Sequence, residues 1–453
     1  MLLQVSGDLE TFAPITVALS QVWRCACSPI IHTSIQQRLI INQSQLMFSV
    51  QFCKVLFSCF LALISIAIIS SLGIAQTFIP PSSYQPLDRK EGALLYKQQL
   101  PDGNEAYLQI INLQKMQIDQ LIGEVDNMGQ SQGKYYKGEG KYYSPFFKMK
   151  LFEEVANEYK QLYGESVFSL INCSFFEQYK SSSQLSFPIK FNGVVITGGH
   201  SPYGPVRQPA DRFYSNIRLQ ALVWDDSGAY ITDYDPDTGA PLNQSSVKNA
   251  IVSYQYSDHP AKILAQNQVN RYHVIGTLDF DGIKDDELLL IMTVNRATLD
   301  HAANLLRQLG VKGNIITIDG GSSTYLLNSQ QGNIILPQPA NQEDNPTFRK
   351  LPHYLGFRTR ITKQVEPLIK ISQPAGMAYP EKNKPYLVLW RDNLDSEVAI
   401  ELYEGNKRIQ VISGHTKNNG VYEWTPSSPV KEGYSIRISS LKNRKIFGTL
   451  QLQ

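Results

Sequence analysis

From Val55 to Ala75 the chain reads VLFSCFLALISIAIISSLGIA, about 21 residues without a charge, long enough to span a bilayer as a helix. Whatever follows such a segment is expected to fold outside the cytoplasm. Lys54 precedes the run, Gly73 and Ala75 supply the small residues of a cleavage site, and the polar stretch QTFIPPSSYQP comes next. Residues 47–75, beginning at Met47, are therefore read as a signal peptide or an uncleaved anchor. Residues 1–46 carry no periodic element and are expected to be a non-native N-terminal extension. The body is expected to be secreted, periplasmic or held at the cell surface, touching membrane only through residues 55–75.

With 453 residues, 42% of them hydrophobic, the chain can bury more than one core. Lys and Arg number 42 against 40 for Asp and Glu, without long runs of either sign, which argues against a nucleic-acid partner. Four of the five cysteines lie before or inside the apolar run, leaving Cys173 alone in the body. A single thiol there excludes an internal disulfide and a zinc box.

Residues 76–92, rich in Pro, Ser and Gln, read as a linker. Ala106 to Val125 reads as two strands joined by a polar turn. LFEEVANEYKQLYG places Leu151, Phe152, Val155, Ala156, Tyr159, Leu162 and Tyr163 at helical spacing, with Gly164 as the stop. A second one-faced helix is expected from Thr298 to Leu309, capped by Thr298 and ended by Gly310. These elements predict an α+β domain over residues 93–362 built on a mixed sheet. From residue 363 to 453 short strands recur every 8–12 positions, which predicts a small all-β sandwich with Trp390 and Trp424 in its core. Its Trp-bearing strand followed by NGVYEW and YSIRISS resembles the immunoglobulin-like domain of cell-wall assembly proteins.

The segment that carries chemistry is GNIITIDGGSSTYLL, residues 313–327. An apolar strand ends in Asp319, Gly320 and Gly321 let the backbone turn close to a ligand, and Ser322, Ser323 and Thr324 offer hydroxyls and N–H groups. A carboxylate fixed beside such donors suits transfer chemistry at a charged centre. On spacing alone, a plain strand–turn–strand with Asp319 capping the turn stands beside that reading. The carboxylate-rich stretch DFDGIKDDE, residues 279–287, lacks the spacing of a calcium loop and reads as a hairpin turn. His200 and Ser201 read as a solvated turn.

Several separated pieces together resemble the phosphodiester glycosidase family. They are Asn172 with Phe175 and Phe176 in SLINCSFF, Arg271 in NRYHVIGTLDFDG, Asp319 to Ser323, and Arg349 in FRKLPHYLGF, spread over residues 93–358. Ser322 stands where many members have a third glycine. The resemblance implies a hydrolase that cuts a sugar from the phosphate at its anomeric carbon. In that reading Asp319, Asn172 and Arg271 are catalytic, and Phe176, Gly320, Gly321, Ser322, Ser323, Thr324, Arg349 and His353 bind substrate.

The departing phosphate monoester is already a weak base, so one carboxyl can suffice, and the larger task is to hold the phosphate with arginine forks. The expected partner is a sugar-phosphate or polysaccharide of the cell envelope, and no cofactor or metal is indicated, a divalent cation being the one considered. The rival reading is a non-catalytic cell-surface glycan-binding protein using the same pocket.

Overall fold

The computed structural model describes residues 78–452 except 128–131, 135–138, 144, 177–181, 200–216, 237, 264–266, 281, 283–285, 342–344, 361–364 and 372–379. The expected extension, leader and anchor, as well as His200 and Ser201, lie outside the described residues. Among the described residues no helix is long and apolar enough to cross a membrane.

Two antiparallel sheets face each other. The larger runs in the order Gln85–Lys90, Ala93–Gln99, Glu105–Asn112, Leu288–Ala297, Asn270–Leu278, Ile316–Thr317, Asn249–Gln255, Ile189–Phe191, Val194–Thr197; Leu219–Trp224 and Ala229–Asp233 branch from Asn249–Gln255. The smaller runs Gly332–Ile335, Leu326–Asn328, Val167–Asn172, His353–Thr359, Met116–Ile122. Leu289, Ile291 and Ile316 of the first sheet meet Ile118, Phe168, Ile171 and Phe357 of the second in one apolar core.

Helix α1, Phe152–Tyr163, covers the outer face of the smaller sheet, with Val155, Tyr159 and Leu162 against Leu170 and Tyr354. Its start is tied by Glu154, whose Oε2 accepts from the Leu151 N–H at 3.0 Å, and Gly164 ends it at φ 52°. Helix α2, Leu299–Gln308, covers the outer face of the larger sheet with Ala302, Leu305 and Leu306. The Thr298 hydroxyl caps it by accepting from the His301 N–H at 3.2 Å. Leu288–Ala297 is apolar on both faces because one lies in the inter-sheet core and the other under α2.

The α+β expectation with a mixed sheet is wrong. Strands make up 49% of the described residues against 11% helix, and every strand pairing among them is antiparallel. The two helices are prominent in the sequence because their spacing is regular. The connections that matter are hairpins, which impose no parallel crossover. The stretch 76–92, expected as a linker, enters the sheet at Gln85, and Gln85–Lys90 pairs with Ala93–Gln99. As an edge strand with exposed polar residues it carries little alternation to betray it.

Beyond residue 363 one sheet holds Ile369–Ile371, Tyr386–Asp392 and Val421–Trp424; the other holds Lys407–Thr416, Val398–Glu404, Tyr434–Ser440 and Phe447–Gln451. Trp390 and Trp424 are buried in the core between them with Ile400, Ile436 and Ile438. Neither ring is an open platform: Trp390 is 1% exposed and Trp424 5%.

Candidate functional site

The Asp319 loop is the bridge between the two sheets. It leaves the larger sheet at Ile316–Thr317 and enters the smaller one at Leu326–Asn328, with a single 3-10 turn at Gly321–Ser323 between them. The two glycines serve different needs. A Cβ at Gly320 would sit 2.9 Å from the Arg271 carbonyl oxygen, so the loop can lie on that strand only without a side chain. Gly321 takes φ 62°, a left-handed conformation that favours glycine.

Asn172, at the end of Val167–Asn172, locks both ends of this loop. Its Nδ2 donates to the Asp319 carbonyl at 2.5 Å, and its Oδ1 accepts from the Tyr325 N–H at 2.8 Å. Those backbone partners fix the amide's orientation. The contact of 2.9 Å between Asn172 Oδ1 and His273 Nε2 then requires the proton on Nε2, so Nδ1 accepts from the Thr293 hydroxyl at 2.8 Å. Burial holds the His273 pKa down to about 3, and the ring stays neutral. Asn172 is only 1% exposed and its hydrogen-bonding groups face protein, so it positions the loop and is not turned to a ligand.

Asp319 emerges from this clamp. Its own N–H donates to the Cys173 carbonyl at 2.8 Å. The residue as a whole is half-buried, yet Oδ2 is cut off from solvent and has no hydrogen-bond partner among the described residues. Desolvation raises its pKa from 3.8 to about 7, against the opposing pull of the Ser323 hydroxyl, the Arg349 guanidinium and the Gly320 amide. Arg349, itself buried, donates from Nη1 to the Ser323 hydroxyl at 3.3 Å. Carboxyl, hydroxyl and guanidinium from residues 319, 323 and 349 are thus assembled at one point.

The remaining expected residues fall into place unevenly. Arg271 is half-buried on the neighbouring strand and donates from Nη1 to the Leu336 carbonyl at 2.8 Å, its other guanidinium N–H groups having no hydrogen bond among the described residues. Ser322 is half-buried in the turn, whereas Ser323 and Thr324 are buried, so the open donors of the loop are Ser322 and the glycine backbone. Phe176 packs half-buried against both the inter-sheet core and the α1 core. His353 is buried, with Nδ1 2.8 Å from the Ser174 hydroxyl; desolvation, aided by Arg391, lowers its pKa to about 3. Burial also pushes the Cys173 thiol well up, with the Asp319 charge adding to the effect, which makes it inert as a nucleophile.

His273 and Ser174 are the site residues that sequence reasoning passed over. The signal for His273 was its place two residues from Arg271 in NRYHVIG, hence on the same strand face.

The turn at 279–287 closes the Asn270–Leu278 and Leu288–Ala297 hairpin. Three of its carboxylates, those among the described residues, serve the turn: Asp279 Oδ1 accepts from the Gly282 N–H at 2.7 Å, Glu287 from the Phe280 N–H, and Asp286 from the Thr277 hydroxyl. Among the described residues no group of three His, Cys, Asp or Glu side chains could hold a metal ion.

No family model matches the chain, and no curated protein matches it. Among solved structures it is similar to the zebrafish N-acetylglucosamine-1-phosphodiester alpha-N-acetylglucosaminidase catalytic domain, described as auto-inhibited by its pro-peptide. That match has 12% identity and a TM-score of 0.38, covering 63% of this chain and 87% of that one. A hypothetical protein from Synechocystis matches with 13% identity and a TM-score of 0.34, covering 62% of this chain and 64% of that one. Both likenesses are too loose to transfer an activity.

Proposed function

We propose that this chain is an exported hydrolase of glycosyl phosphodiesters, with Asp319 as the carboxyl that moves the proton. The observation that carries this reading is a desolvated carboxyl, its pKa pushed up to about 7, standing beside a buried arginine. A carboxyl of that kind holds a proton near neutral pH and can still release it.

Cleavage breaks the bond between the anomeric carbon and the phosphate oxygen. Asp319 gives its proton to the departing oxygen, water supplies the hydroxyl to the anomeric carbon, and the second proton of that water restores the carboxyl. Arg349, with the unengaged N–H groups of Arg271, pairs with the phosphate, and the backbone around Gly320 and Gly321 gives further N–H contacts. Phe176 offers an apolar wall for the sugar. Asn172 and His273 are positioning residues, since they hold the loop without facing the substrate.

The test is release of sugar from model sugar-1-phosphodiesters by Asp319→Asn. Loss of general acid catalysis is expected to lower turnover by about 10²–10⁴-fold while the fold is kept. Unchanged turnover in a folded variant would rule the role out.

A further inference from the structure

A cavity of about 480 Å³ lies between the edge strand Met116–Ile122 and the loops of the C-terminal sandwich, and shares no residue with the Asp319 loop. Four features of its wall bear on what it holds.

The first is an open sheet edge. The Gly123 N–H donates to the Pro352 carbonyl at 2.8 Å, which sets the parity of the pairing between Met116–Ile122 and His353–Thr359. Ile118 and Gln120 therefore turn their peptide groups away from that partner strand, and both line the cavity. The second is an orphaned side-chain atom: Gln120 is 3% exposed, its Nε2 donates to the Lys190 carbonyl at 2.7 Å, and its Oε1 has no hydrogen-bond partner among the described residues.

The third is charge balance. Four carboxylates, among them Asp119 and Asp392, are matched by two arginines and two lysines, so the wall has no net charge to select an ion. The Asp119 and Arg358 pair, at 2.7 Å, is already satisfied within the wall. The fourth is the rigidity of the rim. Asn192, at φ 46°, donates from Nδ2 to the Asn419 carbonyl, pinning the turn at 191–193 to the sandwich loop.

We propose that this cavity binds a neutral saccharide segment of about three or four sugar units, a ligand fitting the 300–1,000 Å³ range of ordinary binding sites. Vicinal hydroxyls both give and accept hydrogen bonds, so they can satisfy amide, carboxylate, guanidinium and open backbone groups together. An added peptide strand fits less well. It would line its amides along one edge and need apolar pockets for alternate side chains, whereas most of the facing side chains are charged or amide-bearing, with Phe191 and Leu394 among them.

The experiment titrates the full exported body with cellotetraose, mannotetraose, the N-acetylglucosamine tetramer and tetra-alanine, by calorimetry. At least one tetrasaccharide is expected to bind with a Kd of about 1 mM or tighter. Gln117→Trp, which fills the cavity from the half-buried strand, is expected to weaken it by about tenfold or more, equivalent to ~1.4 kcal/mol. Lys417→Ala at the exposed rim gives a second reading, a smaller weakening, should Gln117→Trp fail to fold. Asp319→Asn is expected to leave this binding unchanged. The proposal is overturned if no tetrasaccharide binds, if binding survives the cavity variants at full strength, or if tetra-alanine binds instead.

Discussion

At residue 319 the burial that suits the carboxyl to the proposed proton transfer also sets a pH dependence of stability. Its pKa stands at about 7 in the folded protein against an ordinary 3.8, so the folded form keeps its proton over a window in which the unfolded chain has lost it. The contribution to stability is complete below about pH 4 and lost as pH rises to about 7. Three pH units correspond to ~4 kcal/mol, an upper bound that partial exposure reduces. Chemical denaturation at several pH values should therefore show wild type losing stability relative to Asp319→Asn between those limits, and parallel curves would refute it.

Asn172 gives a different signature. Asn172→Ala strands the His273 Nε2–H, the Tyr325 N–H and the Asp319 carbonyl in a buried setting, with an expected cost of about 2–4 kcal/mol. A stability loss under ~1 kcal/mol would show that the clamp is not formed. The special residue types at Asp319, Gly320 and Gly321 were legible in the sequence because they punctuate an apolar strand. The roles of Asn172 and His273 were not, since each depends on partners about a hundred or more positions away.

Among elements, the helices were the easiest to read. The expected stops at Gly164 and Gly310 and the Thr298 cap are all present, because caps and periodicity are local properties. Strand partnership was not local. Glu105–Asn112 and Met116–Ile122 follow one another, yet the first joins the larger sheet beside Leu288–Ala297 and the second joins the smaller beside His353–Thr359. Alternation tells which face of a strand is buried but not which neighbour binds its edge.

The bridging loop inherits its position from that split, and Gly320→Ala tests it. The added methyl meets the Arg271 carbonyl at 2.9 Å, so the loop must lift from the strand. A destabilisation of about 1–3 kcal/mol is expected, together with loss of the proposed hydrolysis. Thermal unfolding and turnover measured on one preparation would check both, and full activity would mean that the loop's contact with the strand is dispensable.

Across the molecule, the part beyond residue 363 completes the body instead of hanging from it. Leu387, Leu389 and Val421 belong to the same apolar core as Leu289 and Phe168, while Tyr386, Val388 and Trp390 face the sandwich interior. The run YLVLW fits this placement, because a strand with no polar face must be covered on both sides. Arg391 closes the seam by donating from Nη2 to the Ile122 carbonyl at 2.7 Å, covering part of the open edge of the smaller sheet.

A chain ending at residue 362 would expose that edge and the apolar patch beneath it, the combination from which strand-to-strand association grows. Size-exclusion chromatography of the shortened body is expected to show oligomers or aggregate, while the intact body unfolds in one cooperative transition. A shortened body that stays monomeric, with the thermal midpoint of the intact one, would mean that the two share no stabilising core. The cavity at the seam would then have no fixed wall on its sandwich side.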